Sequence, residues 1–222
     1  GLVRDSMPFA SVRWVQPGFA HSPGMIPAGL THRNLMGQVD GTANPELGSE
    51  DFNSVVWIEE GPEWIRGGTL MVFRRIAMQL DTWDQLGTPS KEEVIGRKLS
   101  NGAPLTGTEE TDVPDLGARH PNGLLVIPEF AHIRRAAPAA EGERIFRRPF
   151  SYDNGMNERG TMDVGLLWTA YQRNISKQFL PIQRRLEKLD LLNKWTVPIG
   201  SGVFAIPGGV QGSELIAEPL FS

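Results

Sequence analysis

The feature that most limits the possible folds of this 222-residue chain is an almost entirely apolar run from Val164 to Tyr171. Gly160 and Asn174 bound the run on either side. It lacks the alternation of apolar and polar residues that is typical of a strand with one face in water. The run therefore predicts a central strand that is covered on both faces.

Weaker patterns predict the elements around this strand. Apolar runs rich in strand-forming residues occur at Val55–Ile58, Thr69–Phe73 and Val203–Ile206. A helical stripe is formed by Phe179, Ile182, Leu186 and Leu189. A capping box, Ser90 with Glu93, predicts a short helix over Lys91–Leu99. Because strands and helices do not alternate strictly, we expect an α+β fold over residues 51–222, with one antiparallel sheet and helices on one face.

Residues 1–50 show little periodicity and are rich in Gly, Pro and Asn, with one short candidate strand at Ser11–Val15. A long segment without regular structure inside a compact domain is usually functional, or it packs on other material. We therefore interpret residues 1–50 as an irregular segment that is either functional or packed on other material.

Composition excludes several classes of protein. The net charge of −4 provides no basic surface for nucleic acid. No apolar stretch approaches the roughly 20 residues of a membrane span. The absence of cysteine removes disulfide scaffolds, cysteine-ligated zinc and iron–sulfur clusters. Composition leaves the cellular compartment undecided. From the start at Gly1 and the missing signal-peptide pattern we expect a processed chain or a fragment.

The four histidines are the candidates for a metal or haem ligand. His21, His32 and His120 lie in loop-like sequence, whereas His132 follows an apolar run and precedes Ile133. No histidine pair, nucleophile elbow, phosphate loop or dinucleotide fingerprint is present. Two interpretations of His132 stay open at this point: a structural histidine at the edge of the core, or the ligand of a single-histidine iron site.

Two further segments carry candidate functional side chains. Asp40 lies among glycines and turn-forming residues in the segment from Gly37 to Pro45. Such a carboxylate either caps its own turn or is held where backbone closely approaches a ligand. Arg147 and Arg148 are flanked by aromatic residues and are either partly buried guanidinium groups or a basic surface pair.

Taken together, five segments in order resemble the dye-decolourising peroxidase family of haem enzymes, and most closely its exported bacterial branch. The first is Arg33–Pro45, which looks like the family's Gly-x-x-Asp-Gly signature with its flanks. The others are Gly123–Pro128 with His132, Phe146-Arg147-Arg148, Asp163–Gln172 and Pro198–Phe204. The resemblance covers nearly the whole chain from Ser11 onward.

The resemblance implies a ferredoxin-like α+β domain that binds one haem b per chain. It implies His132 as the axial iron ligand, with Asp163 as a candidate acceptor for the other imidazole nitrogen. On the opposite side of the haem it places Asp40 and Arg147, with Arg148 as the alternative arginine. Further cofactor-binding positions are matched by Thr42, Asn44, Leu166, Trp168 and Phe179. At Trp168 relatives commonly have phenylalanine.

The activity that the resemblance implies is reduction of hydrogen peroxide with oxidation of phenolic or dye-like aromatic compounds. Candidates for long-range electron transfer are Trp168, Tyr152, Tyr171 and Trp195. Alternatives are a haem- or iron-handling protein that releases iron from haem, and a non-catalytic half of a split peroxidase. Family members usually have two ferredoxin-like halves, so the N-terminal half is an expected partner as a separate chain. Export is expected from the resemblance alone.

Overall fold

The computed structural model describes residues 11–20, 25, 31–158, 160–210, 212 and 215–220. Its α-helices are α1 (Glu50–Val56), α2 (Leu80–Asp84), α3 (Thr88–Ile95), α4 (His132–Ala136) and α5 (Leu180–Leu189). Its strands are β1 (Thr69–Met78), β2 (Phe146–Arg147), β3 (Phe150–Met156), β4 (Met162–Gln172) and β5 (Thr196–Ile206). A π-helix, Ile175–Phe179, precedes α5, and 3₁₀ turns lie at Glu63–Ile65, Leu191–Lys194 and Glu218–Leu220.

The five strands form one antiparallel sheet in which β4 is central. Strand β4 pairs with β1 on one side and with both β2 and β3 on the other, while β5 pairs with β1. The central strand predicted from Val164–Tyr171 is therefore confirmed, and Val203–Ile206 is the end of the longer strand β5. The expected α+β fold with an antiparallel sheet is also confirmed.

The helices pack on one face of this sheet through a central cluster of buried side chains. We use this name for Met36, Met78, Trp83, Val94, Ile95 and Leu166, with Ile133, Trp168, Leu191 and Trp195 packed against them. Leu166 pairs with Ile76 and Trp168 with Arg74 across β1 and β4, so these side chains share the helix-facing side. The opposite face is partly covered by residues 14–19, where Trp14 lies 6.0 Å from the ring of Phe73.

Two local predictions after residue 50 are wrong. Val55 and Val56 lie in helix α1, because the Ser49 hydroxyl accepts the Phe52 N–H at 3.0 Å and Phe52, Val55 and Val56 then form one buried helical stripe. The helix predicted over Lys91–Leu99 is α3, which begins at Thr88 after Gly87, so Ser90 lies inside α3 and is not its cap. That helix ends at Gly96, whose φ of 91° is the left-handed conformation that glycine adopts without strain.

Of the stripe that predicted a helix, Ile182, Leu186 and Leu189 lie in α5, whereas Phe179 ends the π-helix before it. Ile182 is buried and Leu189 is exposed. Residues 11–15 form no strand, and the described residues before Glu50 contain turns and isolated bridges such as Arg33 with Val39. No helix in the described ranges is long and apolar enough to cross a membrane.

Candidate functional site

His132 is held by a buried carboxylate. Its Nδ1 lies 2.7 Å from Oδ2 of Asp190, the residue that ends helix α5 and is almost completely buried. A carboxylate can only accept, so in the neutral imidazole Nδ1 carries the proton and Nε2 keeps its lone pair. In the described part of the chain Nε2 has no hydrogen-bond partner. The imidazole is therefore oriented, with one nitrogen available to an electrophile.

Hydrogen bonds hold both ends of α4, the short helix that carries His132. The guanidinium of Arg185 donates to the carbonyls of Arg135 and Ala137, at 3.3 and 2.9 Å, and so satisfies the last turn of α4. Before the helix, the carbonyl of Phe130 accepts the N–H of Leu191 at 3.1 Å. Because Leu191 follows Asp190, the same contacts that fix α4 also fix the carboxylate beside His132.

The expectation that Asp163 accepts the His132 proton is wrong. Asp163 lies near the start of β4, where Oδ2 is 2.6 Å from the guanidinium of Arg75 and 2.9 Å from the amide of Asn154. The Asn154 hydrogen bond is the main cause that lowers the pKa of Asp163, and Arg75 contributes to the same direction against burial. Asp190, which the sequence reasoning missed, takes the expected position. The only sequence signal for it was its place directly after the amphipathic stripe.

Asp40 and Arg147 meet, although 107 positions separate them in the sequence. One guanidinium nitrogen of Arg147, Nη1, lies 3.3 Å from Oδ1 of Asp40, and the carboxylate is buried with 9% of its side chain exposed. Arg148 is exposed and turns towards the ring of Phe150, 5.8 Å from its centroid. Of the two arginines, Arg147 is the one that forms an ion pair with Asp40.

The turn after Asp40 is anchored to the loop that follows helix α3. The Thr42 hydroxyl donates to Glu110 Oε1 at 2.7 Å, and the carbonyl of Glu110 accepts from Arg97 at 2.8 Å. Arg97 is itself buried, and burial lowers its pKa, an effect that Glu110 opposes and Arg147 reinforces. The turn of Asp40 is therefore linked to a second guanidinium besides that of Arg147.

Three apolar side chains expected around the site occupy the helix-facing side of the sheet or lie against it. Leu166 belongs to the central cluster, and Trp168 packs against that cluster. The π-helix places Phe179 with its ring 5.9 Å from that of Trp168. The same cluster includes Met36, just before the Asp40 motif, and contacts Ile133, the neighbour of His132. It therefore joins the segment of Asp40 to the segment of His132.

The family model described as "Dyp-type peroxidase, C-terminal" matches residues 31–211, more than half of the chain. The chain belongs to the Dyp-type peroxidase family. It is 40% identical over 221 residues to a dye-decolorizing peroxidase of Thermobifida fusca (strain YX), covering 96% of this chain and 51% of that protein. It is 35% identical over 228 residues to a deferrochelatase of Escherichia coli (strain K12), covering 99% of this chain and 53% of that protein.

Solved structures in this family have the same fold. A DyP-type peroxidase from Cellulomonas bogoriensis superposes with a TM-score of 0.92 at 49% identity, covering 99% of this chain and 61% of that one. Ferric DtpA from Streptomyces lividans superposes with a TM-score of 0.91 at 42% identity, covering 98% of this chain and 60% of that one. This agrees with the expected ferredoxin-like fold. The chain spans about half the length of the curated relatives it matches.

The remaining candidates from the sequence occupy varied surroundings. His32 is half-buried, His120 is exposed, and His21 lies outside the described residues. Tyr152 is fully buried with the guanidinium of Arg75 4.7 Å from its ring centroid, and burial raises its pKa. The ring of Tyr171 lies 6.3 Å from that of Phe146, and that of Trp195 5.4 Å from that of Trp83. Electron transfer through these aromatic residues stays a prediction.

Proposed function

We propose that this chain binds one haem b through His132 and uses it to reduce hydrogen peroxide while oxidising phenolic or dye-like aromatic compounds. The observation that carries the proposal is the hydrogen bond from His132 Nδ1 to Asp190 at 2.7 Å, which leaves Nε2 without a partner among the described residues. A carboxylate at the second nitrogen is the usual way in which proteins orient an imidazole ligand and raise its basicity. Membership in the family supports the same assignment.

The donor set fits haem better than a bare metal ion. Among the described residues no group of three or more His, Asp or Glu side chains could hold a metal, so His132 would be a lone ligand. A porphyrin brings four nitrogen donors of its own and needs only an axial imidazole and an apolar enclosure. Leu166, Trp168 and Phe179 would supply this apolar surface. Two residues before Asp40, the buried Nε2 of Gln38 has no hydrogen-bond acceptor among the described residues. Bound haem would supply the redox-active iron at which peroxide is reduced.

Asp40 and Arg147 would divide the proton and charge chemistry of peroxide cleavage. Asp40 would take the proton from the oxygen of hydrogen peroxide nearer the iron and deliver it to the departing oxygen. The Arg147 guanidinium would offset the negative charge that develops on the departing oxygen. Asp190 would hold His132 so that Nε2 faces the iron. Thr42 would keep the turn of Asp40 in place through Glu110.

A second candidate function is release of iron from haem. Relatives called deferrochelatase align over 99% of this chain at 35% identity. The two functions share the haem site but differ in product. Metal-free porphyrin, which is strongly fluorescent, would accumulate only in the second case.

Strand β5 is a candidate surface for contact with the half that the relatives have in addition. Strand β5 is an edge strand on which Val197, Ile199, Val203 and Phe204 are exposed, Val203 by 63%. Exposed apolar edge strands are normally covered in native proteins. We propose that a segment equivalent to the relatives' other half, in the same or a separate chain, packs on β5.

The experiment that tests the proposed function begins with haem titration of the purified chain, followed at the Soret band. His132→Ala is expected to abolish the specific spectrum, whereas His32→Ala and His120→Ala are expected to retain it. The haem-loaded protein is then mixed with peroxide by stopped flow. Asp40→Asn and Arg147→Leu are each expected to slow the reaction by roughly a hundred- to ten-thousand-fold.

Three results would count against the proposed function. A wild-type chain without a Soret band after haem addition would favour a half that binds nothing by itself. An unchanged spectrum in His132→Ala would remove the ligand assignment. Wild-type peroxide rates in both Asp40→Asn and Arg147→Leu would remove the division of roles between these two residues.

A further inference from the structure

Strand β2, which carries Arg147, contains only two residues, and among the described residues it has a strand neighbour on one side only. Its register pairs Arg147 with Ala170 of β4, and the next hydrogen bond runs from the Arg148 N–H to the Thr169 carbonyl at 3.0 Å. In an antiparallel ladder the backbone groups of alternate residues point away from the partner strand. The N–H and C=O of Arg147 therefore face the open edge, where the described part of the chain has no strand to bind them.

A single side chain takes the place of the absent strand. Asn44 donates from Nδ2 to the Arg147 carbonyl at 2.7 Å and accepts the Arg147 N–H on Oδ1 at 3.0 Å. A planar carboxamide offers a donor and an acceptor side by side, as a neighbouring backbone does. Neither alanine nor a carboxylate can make both of these bonds.

Asn44 and Asp40 belong to one tight segment, because the Asn44 N–H donates to the Gly41 carbonyl at 2.8 Å. This segment therefore holds Arg147 at two points. Asn44 binds the backbone, and Asp40 binds the guanidinium at 3.3 Å. Movement of the Arg147 backbone relative to the Asp40 turn is restricted by the Asn44 amide.

We infer that Asn44 is a positioning residue, which fixes the Arg147 guanidinium relative to Asp40 by pairing with the open edge of β2. The direct contact with the cofactor that the resemblance implied for Asn44 stays a separate prediction. The inference rests on the proposed function in one respect only, namely that Arg147 takes part in peroxide reduction. One N–H of the Asn44 amide is not used by Arg147, so the test has to separate action through Arg147 from direct action on peroxide.

The first measurement is amide hydrogen exchange of the haem-free chain. The Arg147 N–H is expected to be protected in the wild type and to exchange about tenfold faster in Asn44→Ala, the factor that one hydrogen bond typically contributes. Asn122→Ala is the control, because Asn122 also accepts a backbone N–H, that of Leu124, in an exposed turn outside the contacts that link Asp40, Glu110 and Arg97. In that control the Arg147 N–H should exchange at the wild-type rate. Equal exchange of this N–H in the wild type and Asn44→Ala would overturn the inference.

The second measurement is a double-mutant cycle on the rate of reaction with peroxide in the haem-loaded chain. Asn44→Ala is expected to slow the reaction at least about tenfold, because small misplacement of a catalytic group is costly. The double variant Asn44→Ala/Arg147→Leu should react within about twofold of Arg147→Leu. A double variant that is slower than Arg147→Leu by the full Asn44→Ala factor would show direct action and overturn the inference.

Two further outcomes keep this inference separate from the proposed function. If Arg147→Leu alone reacts at the wild-type rate, the role of Arg147 in the proposed function fails, and the exchange rate of the Arg147 N–H still decides whether Asn44 holds the strand. If Asn44→Ala does not fold, Asn44→Asp replaces it. Asn44→Asp keeps the acceptor for the Arg147 N–H but sets a carboxylate oxygen against the Arg147 carbonyl, so a slower peroxide reaction with the Arg147 N–H still protected is expected. A wild-type rate in Asn44→Asp would overturn the inference.

Discussion

Replacing Asp190 by asparagine should reverse the tautomer of His132. In the wild type Asp190 accepts twice, from the Leu192 N–H on Oδ1 at 3.0 Å and from His132 Nδ1 on Oδ2 at 2.7 Å. The Leu192 N–H can only donate, so in Asp190→Asn it retains the oxygen of the new side-chain amide. The amide NH₂ then faces Nδ1, which has to become the acceptor, and the imidazole proton moves to Nε2.

The size of the effect on haem binding follows from this exchange of roles. To bind iron through Nε2, His132 has to return its proton to Nδ1. This loses the hydrogen bond from the new amide NH₂ to Nδ1 and places two donors, the amide NH₂ and the Nδ1–H, opposite each other. A hydrogen bond that involves a charged group contributes about 1.5–3 kcal/mol. At about 1.4 kcal/mol for each factor of ten, the haem affinity should fall roughly 10- to 100-fold. The haem-free variant keeps both hydrogen bonds, so its free energy of unfolding should change by only about 1 kcal/mol.

Haem titration at the Soret band measures the affinity, and urea unfolding of the haem-free chain measures the stability. Asp163→Asn is the matched control, because it makes the same substitution at the carboxylate that binds Arg75 instead of His132. The control should bind haem with wild-type affinity. Wild-type haem affinity in Asp190→Asn, or an equal loss in Asp163→Asn, would refute the reasoning.

Two other predictions concern β4. Trp168→Phe keeps an aromatic contact with Phe179, so it should preserve folding and peroxide reduction. Electron paramagnetic resonance of samples frozen rapidly after peroxide addition should show a tryptophan radical in the wild type and none at this position in the variant. Identical spectra would make Trp168 a packing residue. The pKa of Asp163 is lowered from its ordinary value of 3.8 by Asn154 and Arg75. The carboxylate therefore stabilises the fold by about 0.2–1 kcal/mol above that pH, and the stabilisation is lost as the pH falls through the folded-state pKa. The free energy of unfolding of Asp163→Asn, measured in urea, should match that of the wild type at low pH and be smaller at neutral pH. An equal difference between variant and wild type at both pH values would contradict the assignment.

Long and strongly patterned segments could be predicted from the sequence, because their own residues determine them. The apolar run of β4 has no alternative but to be buried on both faces, and the stripe of α5 repeats at helical spacing over three turns. Short segments were less predictable. Val55–Ile58 resembles a strand in composition, and only the Ser49 cap and the buried stripe with Phe52 make its first residues helical.

The site divides in the same way. The candidate side chains for the chemistry could be predicted from the sequence, since His132, Asp40 and the arginine pair stand in segments whose residues and order resemble those of the family. Which of these groups meet depends on the three-dimensional fold. It pairs His132 with Asp190 and not Asp163, and it directs Arg147 towards Asp40 while Arg148 faces Phe150. These contacts join residues 58 and 107 positions apart, and spacing along the chain contains no information about such distances until the sheet and helices bring the segments together.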